Sequence, residues 1–124
     1  MAKKSKVENK AVILVVDDDF KDLSEMKSIL ESDGYKVEPA TNGAQAIEAL
    51  KTEKFDLILI DILMPTLSGY DLLRLLREKL NHKVKMVYVS IVPKKDAQLN
   101  DIDGFIQKPF SRKTFLEGVN NALR

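Results

Sequence analysis

The stretch ILVVDDDF, Ile13 to Phe20, drives four apolar residues straight into three consecutive carboxylates. Ala11 to Val16, "AVILVV", is short, unbroken and β-branched, which reads as a strand buried on both faces. Asp is almost never fully buried unless paired or metal-bound. The acids must therefore emerge where the strand ends. The same pattern recurs along the chain: "FDLILI" stops on Asp61, "VKMVYVS" stops on Ser90, and the short run "GFIQ" is followed by Lys108. Between these runs apolar residues take helical spacing, first from Phe20 through Leu23, Met26, Ile29 and Leu30. Ala46, Ile47 and Leu50 begin a second helical face; Tyr70, Leu72, Leu73, Leu75 and Leu76 form a third, and Phe115, Leu116, Val119 and Leu123 a last one behind a Ser111 cap. Gly34 stops the first helix, and a further short strand is predicted around Tyr35 to Val37. Strands alternating with helices imply a doubly wound α/β domain, a five-stranded parallel sheet covered on both faces. Ligands of such sheets bind outside the carboxyl ends of the strands. Asp17, Asp18, Asp19, Asp61, Ser90 and Lys108 are thus expected to converge on one rim.

Length and composition narrow the classes. A chain of 124 residues supports one core without disulfides or structural metal. Its 20 Lys and Arg against 19 Asp and Glu offer no overall electrostatic case for nucleic acid or an anionic membrane. The absence of Cys removes thiol catalysis and Cys-based zinc sites. Residues 1–10, "MAKKSKVENK", read as a flexible basic tail ahead of a domain at 11–124, and the apolar run after them is too short to span a membrane. A cytoplasmic location is the expectation. His82 in a polar turn and the Lys94-Lys95 pair read as solvated surface.

Clustered carboxylates repel, and a hard divalent cation relieves them by accepting several oxygen ligands. Mg²⁺ suits two or three carboxylates with water and phosphate oxygens, and Mn²⁺ is an acceptable substitute. A Lys ammonium and a Ser hydroxyl opposite the cation suit the remaining phosphoryl oxygens. These are the parts of phosphoryl transfer, where positioning and charge neutralisation dominate.

The ordered motifs "VVDDD", "LILIDILMP", "VYVS" and "GFIQKPF" resemble the receiver domain of two-component response regulators, across about Ala11 to Arg124. The resemblance implies the flavodoxin-like strand order 2-1-3-4-5. It implies Asp61 as phosphoacceptor, Asp17 and Asp18 as the acidic pair holding Mg²⁺, and the Leu63 backbone carbonyl as a further metal ligand. It also implies Lys108 and Ser90 as partners of the phosphoryl oxygens, Ser90 and Phe105 as switch residues, and a cis Lys108–Pro109 peptide bond. The implied donor is a histidine kinase or a histidine phosphotransfer protein, and the output is a downstream protein that the sequence does not name. Such a domain catalyses its own phosphorylation yet serves signalling, with no direct nucleic-acid contact. Asp19 lies beyond the acidic pair and reads as a helix-start residue.

Two features depart from the family pattern. The segment from Ser90 to Lys108 is about one helical turn short and carries Pro93, so the crossover helix between the fourth and fifth strands is predicted short, irregular or absent. That places dimerisation through the usual signalling face in question. Ile91 stands where the family places a small residue; with apolar Leu63 and Val92 flanking the approach of water, it predicts slow autodephosphorylation. Two alternatives belong to other classes. A haloacid-dehalogenase-like phosphatase would use Asp17 and Asp19 as its paired acids, although Lys21 departs from its motif. A phosphate-independent interaction module would keep the fold and dispense with the chemistry.

Overall fold

In the computed structural model, which describes residues 10–81 and 83–124, the buried apolar runs become strands: β1 Val12–Val16, β3 Leu57–Ile60 and β4 Lys85–Ser90. β2, Lys36–Ala40, and β5, Gly104–Gln107, complete a parallel sheet in the order β2-β1-β3-β4-β5. Parallel neighbours demand crossovers, and four helices supply cover: α1 Phe20–Ser32, α2 Gly43–Ala49, α3 Gly69–Lys79 and α4 Arg112–Leu123. The expected doubly wound architecture and strand order are both observed.

Alternation along each central strand divides two cores. Ile13, Val15, Leu57, Leu59, Val87 and Val89 face α1 and α4, packing with Leu23, Met26, Leu30, Phe115 and Val119. Leu14, Val16, Ile58, Ile60, Met86 and Tyr88 face the other way, toward Ala46 of α2 and Leu72, Leu73 and Leu76 of α3. A fully buried aliphatic side chain contributes roughly 1.5–3 kcal/mol, so the central strands anchor both layers at once.

Side-chain caps fix the helix starts. Asp19 accepts from the Asp22 N–H, Asn42 from Gln45, Ser68 from Asp71 and Ser111 from Thr114. Gly34 takes φ 94°, the left-handed conformation that ends α1.

The second strand differs from expectation. It begins after Tyr35 and runs on through Glu38 and Pro39 to Ala40. As an edge strand it needs neither the missing Pro39 N–H nor an apolar outer face, so apolar patterning undercounts it. Phe20 likewise heads the helical apolar series but is 76% exposed, because it precedes the face that packs. The crossover helix, predicted short, irregular or absent, is reduced to one 3-10 turn, Lys94–Asp96, between β4 and β5, with Lys94 and Lys95 both exposed. The expectations for residues 1–9 and for His82 fall outside the described residues. Lys10, the last residue of the expected tail, is tied down, since its Nζ donates to the Asp33 carbonyl at 2.7 Å and lies 4.7 Å from the centre of the Tyr35 ring. No described helix is long and apolar enough to cross a membrane.

Candidate metal and phosphoryl site

The rim is assembled from the carboxyl ends of β1, β3, β4 and β5. Backbone pairing continues one residue past β1 and β3: the Asp17 N–H donates to the Ala40 carbonyl, and the Asp61 N–H to the Val16 carbonyl. Both acids are therefore held rigidly by the ladder while their carboxylates clear its end. Asp17 is wholly buried and Asp61 is 7% exposed, whereas Asp18 is solvent-facing. One carboxylate oxygen from each of Asp17, Asp18 and Asp61 lies within 4.8 Å of the others.

Lys108, just beyond β5, sends its four-carbon stem across the rim. Its Nζ donates to Asp17 Oδ2 at 2.7 Å and Asp22 Oδ2 at 2.9 Å, with Asp61 Oδ2 at 3.5 Å. Its side chain is 8% exposed, so these charges meet largely out of water. The Lys108–Pro109 peptide bond is cis.

Electrostatics follow from burial against pairing. Desolvation pushes the Asp61 carboxyl up to about 6, reinforced by the Asp17 charge and opposed by Lys108 and the Leu63 backbone N–H. Desolvation also raises Asp17, against its hydrogen bonds from Lys108 and the Asp19 N–H. For Lys108, burial would lower the ammonium, but hydrogen bonds to Asp17 and Asp22 and the charges of Asp17 and Asp61 prevail and push it upward. One ammonium thus serves three acids, and the site retains an excess of negative charge.

The donor set suits a hard cation. It comprises carboxylate oxygens, without nitrogen or sulfur, gathered closely enough to share one ion. Asp17, Asp18 and Asp61 could hold Mg²⁺ or Mn²⁺. Asp19 is not in the group; its carboxylate caps α1, which removes the Asp17 and Asp19 pairing that a dehalogenase-like phosphatase would need.

The remaining sequence candidates occupy the same rim or the strand beneath it. Ser90 is fully buried at the end of β4, and its Oγ accepts from the Val92 N–H at 3.2 Å. Leu63 and Ile91 expose 53% and 62% of their surfaces beside the acids and beside Lys108, respectively. Val92 is half-buried. Phe105 is half-buried on β5, opposite Tyr88 in register and packed with the α2–α3 core.

Two residues escaped the sequence reading. Asp22 has the signal of an acid in a first helical turn, but nothing in the sequence distinguishes a rim-facing acid from a solvated one. Gln107 closes the end of the β4–β5 ladder by donating from Nε2 to the Ser90 and Ile91 carbonyls, each at 3.1 Å. As an exposed residue at a strand end it carries no sequence signal.

Comparison with known proteins agrees with this geometry. The chain is 31% identical to protein PilH of Pseudomonas aeruginosa over 120 residues, covering 91% of this chain and 98% of PilH. It is 29% identical to the response regulator SaeR of Staphylococcus aureus, covering 90% of this chain and about half of SaeR. Among solved structures, the response regulator TrrA of Thermotoga maritima, in complex with Mg(2+)-BeF, superposes with a TM-score of 0.83 at 28% identity, covering 92% of this chain and 100% of TrrA. The family profile of the response regulator receiver domain matches residues 13–120, and with sheet order, rim and relatives in accord, the chain belongs to that family.

Proposed function

We propose that this domain is a phosphorylation-driven switch of two-component signalling, with Asp61 as phosphoacceptor. The carrying observation is the meeting of Asp17, Asp18, Asp61 and Lys108 at one rim, from segments separated by most of the chain. A carboxylate oxygen of Asp61 attacks the phosphorus of a phosphohistidine. The O–P bond forms as the P–N bond breaks, and the electron pair of that bond returns to the imidazole, which leaves and takes a proton. Asp17, Asp18 and Asp61, with the Leu63 carbonyl, would hold Mg²⁺, and a bound ion would supply charge neutralisation at the acids and phosphoryl oxygens. Lys108 pairs with one phosphoryl oxygen, and the Ser90 hydroxyl donates to another after leaving the Val92 N–H. Phe105 responds to that displacement, so the chemical state of the rim shifts the population of the β4–β5 face. Histidine kinases or phosphotransfer proteins are the donors, and a protein reading the shifted face is the output. Ile91 beside Lys108 and Leu63 beside Asp61 hinder water, favouring slow hydrolysis of the acyl phosphate.

Intact-mass spectrometry after incubation with acetyl phosphate tests the reading. A magnesium-dependent gain of one phosphoryl group by the wild type, absent from Asp61→Asn, is expected. Equal labelling of Asp61→Asn, or no labelling by either acetyl phosphate or a phosphorylated histidine donor, would sink it.

A further inference from the structure

Lys108 carries three N–H donors, and two of its hydrogen bonds are accounted for by Asp17 and Asp22. Asp61, at 3.5 Å, stands outside the 2.7–2.9 Å range of a charge-assisted bond. Asp22 is not one of the three acids whose oxygens could share an ion. It reaches the site from the first turn of α1, where the Asp19 cap on its N–H fixes its backbone. Its carboxylate thus faces the ammonium rather than the cation position. No motif of the family resemblance contains it.

We propose that Asp22 is a positioning residue: by holding one side of the Lys108 ammonium, which already bonds Asp17, it keeps that charge from closing on Asp61 as well, and leaves the Asp61 carboxylate open to a divalent cation. This rests on the metal-dependent reading of the rim given above. Without Asp22, the freed N–H turns to the nearest remaining acceptor, Asp61 Oδ2. The ammonium then bridges Asp17 and Asp61, and an incoming cation must displace it from both. Asp22 gives Lys108 somewhere to stay when Asp17 is engaged elsewhere. Its effect on the cation therefore passes through Lys108, and this separates positioning from the bare influence of a nearby negative charge.

The test is a cycle of Mg²⁺ titrations by isothermal calorimetry on the full chain, comparing wild type, Asp22→Asn, Asp22→Glu, Lys108→Met and the Asp22→Asn/Lys108→Met pair. Asp22→Asn is expected to weaken Mg²⁺ about fivefold or more with Lys108 present, and by less than about twofold in the Lys108→Met background. Asp22→Glu, which keeps a carboxylate for the ammonium, is expected to stay within about twofold of wild type. The partly exposed Asp22 side chain lets these variants fold, which circular dichroism checks. Wild-type affinity in Asp22→Asn overturns the proposal, as does an equal loss in both backgrounds. Absence of Mg²⁺ binding by the wild type is a different failure, since it removes the reading of the rim itself.

Discussion

At the scale of single residues, Asp61 is a carboxylate held against its own charge by burial. Its carboxyl is raised from 3.8 to about 6, chiefly by burial, so the folded state prefers the protonated form. Relative to the unfolded chain, the stability tied to that proton is fully present below pH 3.8 and is lost as pH rises through about 6. A tenfold change in proton affinity between folded and unfolded states is worth about 1.4 kcal/mol, so Asp61→Asn should stabilise the metal-free protein on the order of 3 kcal/mol above about pH 7. Urea unfolding in a chelator measures this, and the gain should fade as pH falls below the Asp61 value. Saturating magnesium should narrow or reverse the difference, because a cation binds the three-carboxylate wild-type site more tightly than the site left with Asp17 and Asp18, and stabilises by mass action. A metal-free variant no more stable than wild type above pH 7 would show that Lys108 already compensates the buried charge. Two acids of ILVVDDDF are accounted for by their partners: Asp17 is buried because Lys108 pairs with it, and Asp19 caps a helix. Asp18 is the exposed member of the acidic group.

At the scale of elements, α3 fixes the geometry of the acidic rim through one tight approach. A Cβ on Gly69 would stand 2.7 Å from Ile62 Cα and nearer still to the Asp61 carbonyl oxygen, both backbone atoms. The Gly69 N–H also donates to the Ile62 carbonyl at 2.8 Å, which docks the helix start against the end of β3. Gly69→Ala should therefore cost about 2–3 kcal/mol by overpacking and displace Asp61 as well. Gly43→Ala, at the start of α2, clashes only with the terminal Cδ2 of Leu67, a side chain able to turn away, and gains the helix preference of Ala. It should lie within about 1 kcal/mol of wild type. Urea unfolding of the two variants compares them directly, and equal costs would contradict the docking role given to Gly69. Such close approaches are invisible in the sequence. What was legible had a local cause. β1, β3 and β4 are unbroken apolar runs because both of their faces are covered, and Asp19 and Ser111 are caps because their neighbours turn helical. The short β4–β5 connection could be read from segment length and Pro93. β2 was misplaced because an edge strand tolerates Glu38 and Pro39, and Asp22 was missed because its partner lies at the far end of the chain.

At the scale of the whole molecule, the sheet is shared by both cores, and the rim is connected to the exposed β4–β5 segment. Consecutive residues of β1, β3 and β4 feed opposite cores, so neither layer can open without exposing strands of the other. The central strands are therefore expected to exchange their amides only through global unfolding. The β4–β5 connection is built differently. Most of its residues from Ile91 to Asp103 are exposed, and its regular structure is one 3-10 turn. Its ends are nonetheless fastened to the site: the Lys108 N–H donates to the Ser90 carbonyl at 2.9 Å, and Gln107 spans Ser90 and Ile91. A change at Ser90 or Lys108 can thus move this segment while both cores stay intact. Hydrogen exchange at short labelling times, with and without Mg²⁺ and beryllium fluoride, tests the point. Peptides covering 90–104 should change uptake severalfold. Those from β1 and β3 should take up almost no deuterium in either state. A change confined to α1 and α4 would place the responsive surface on the opposite face of the sheet. An unchanged 90–104 segment would mean that shortening this crossover disconnected it from the rim.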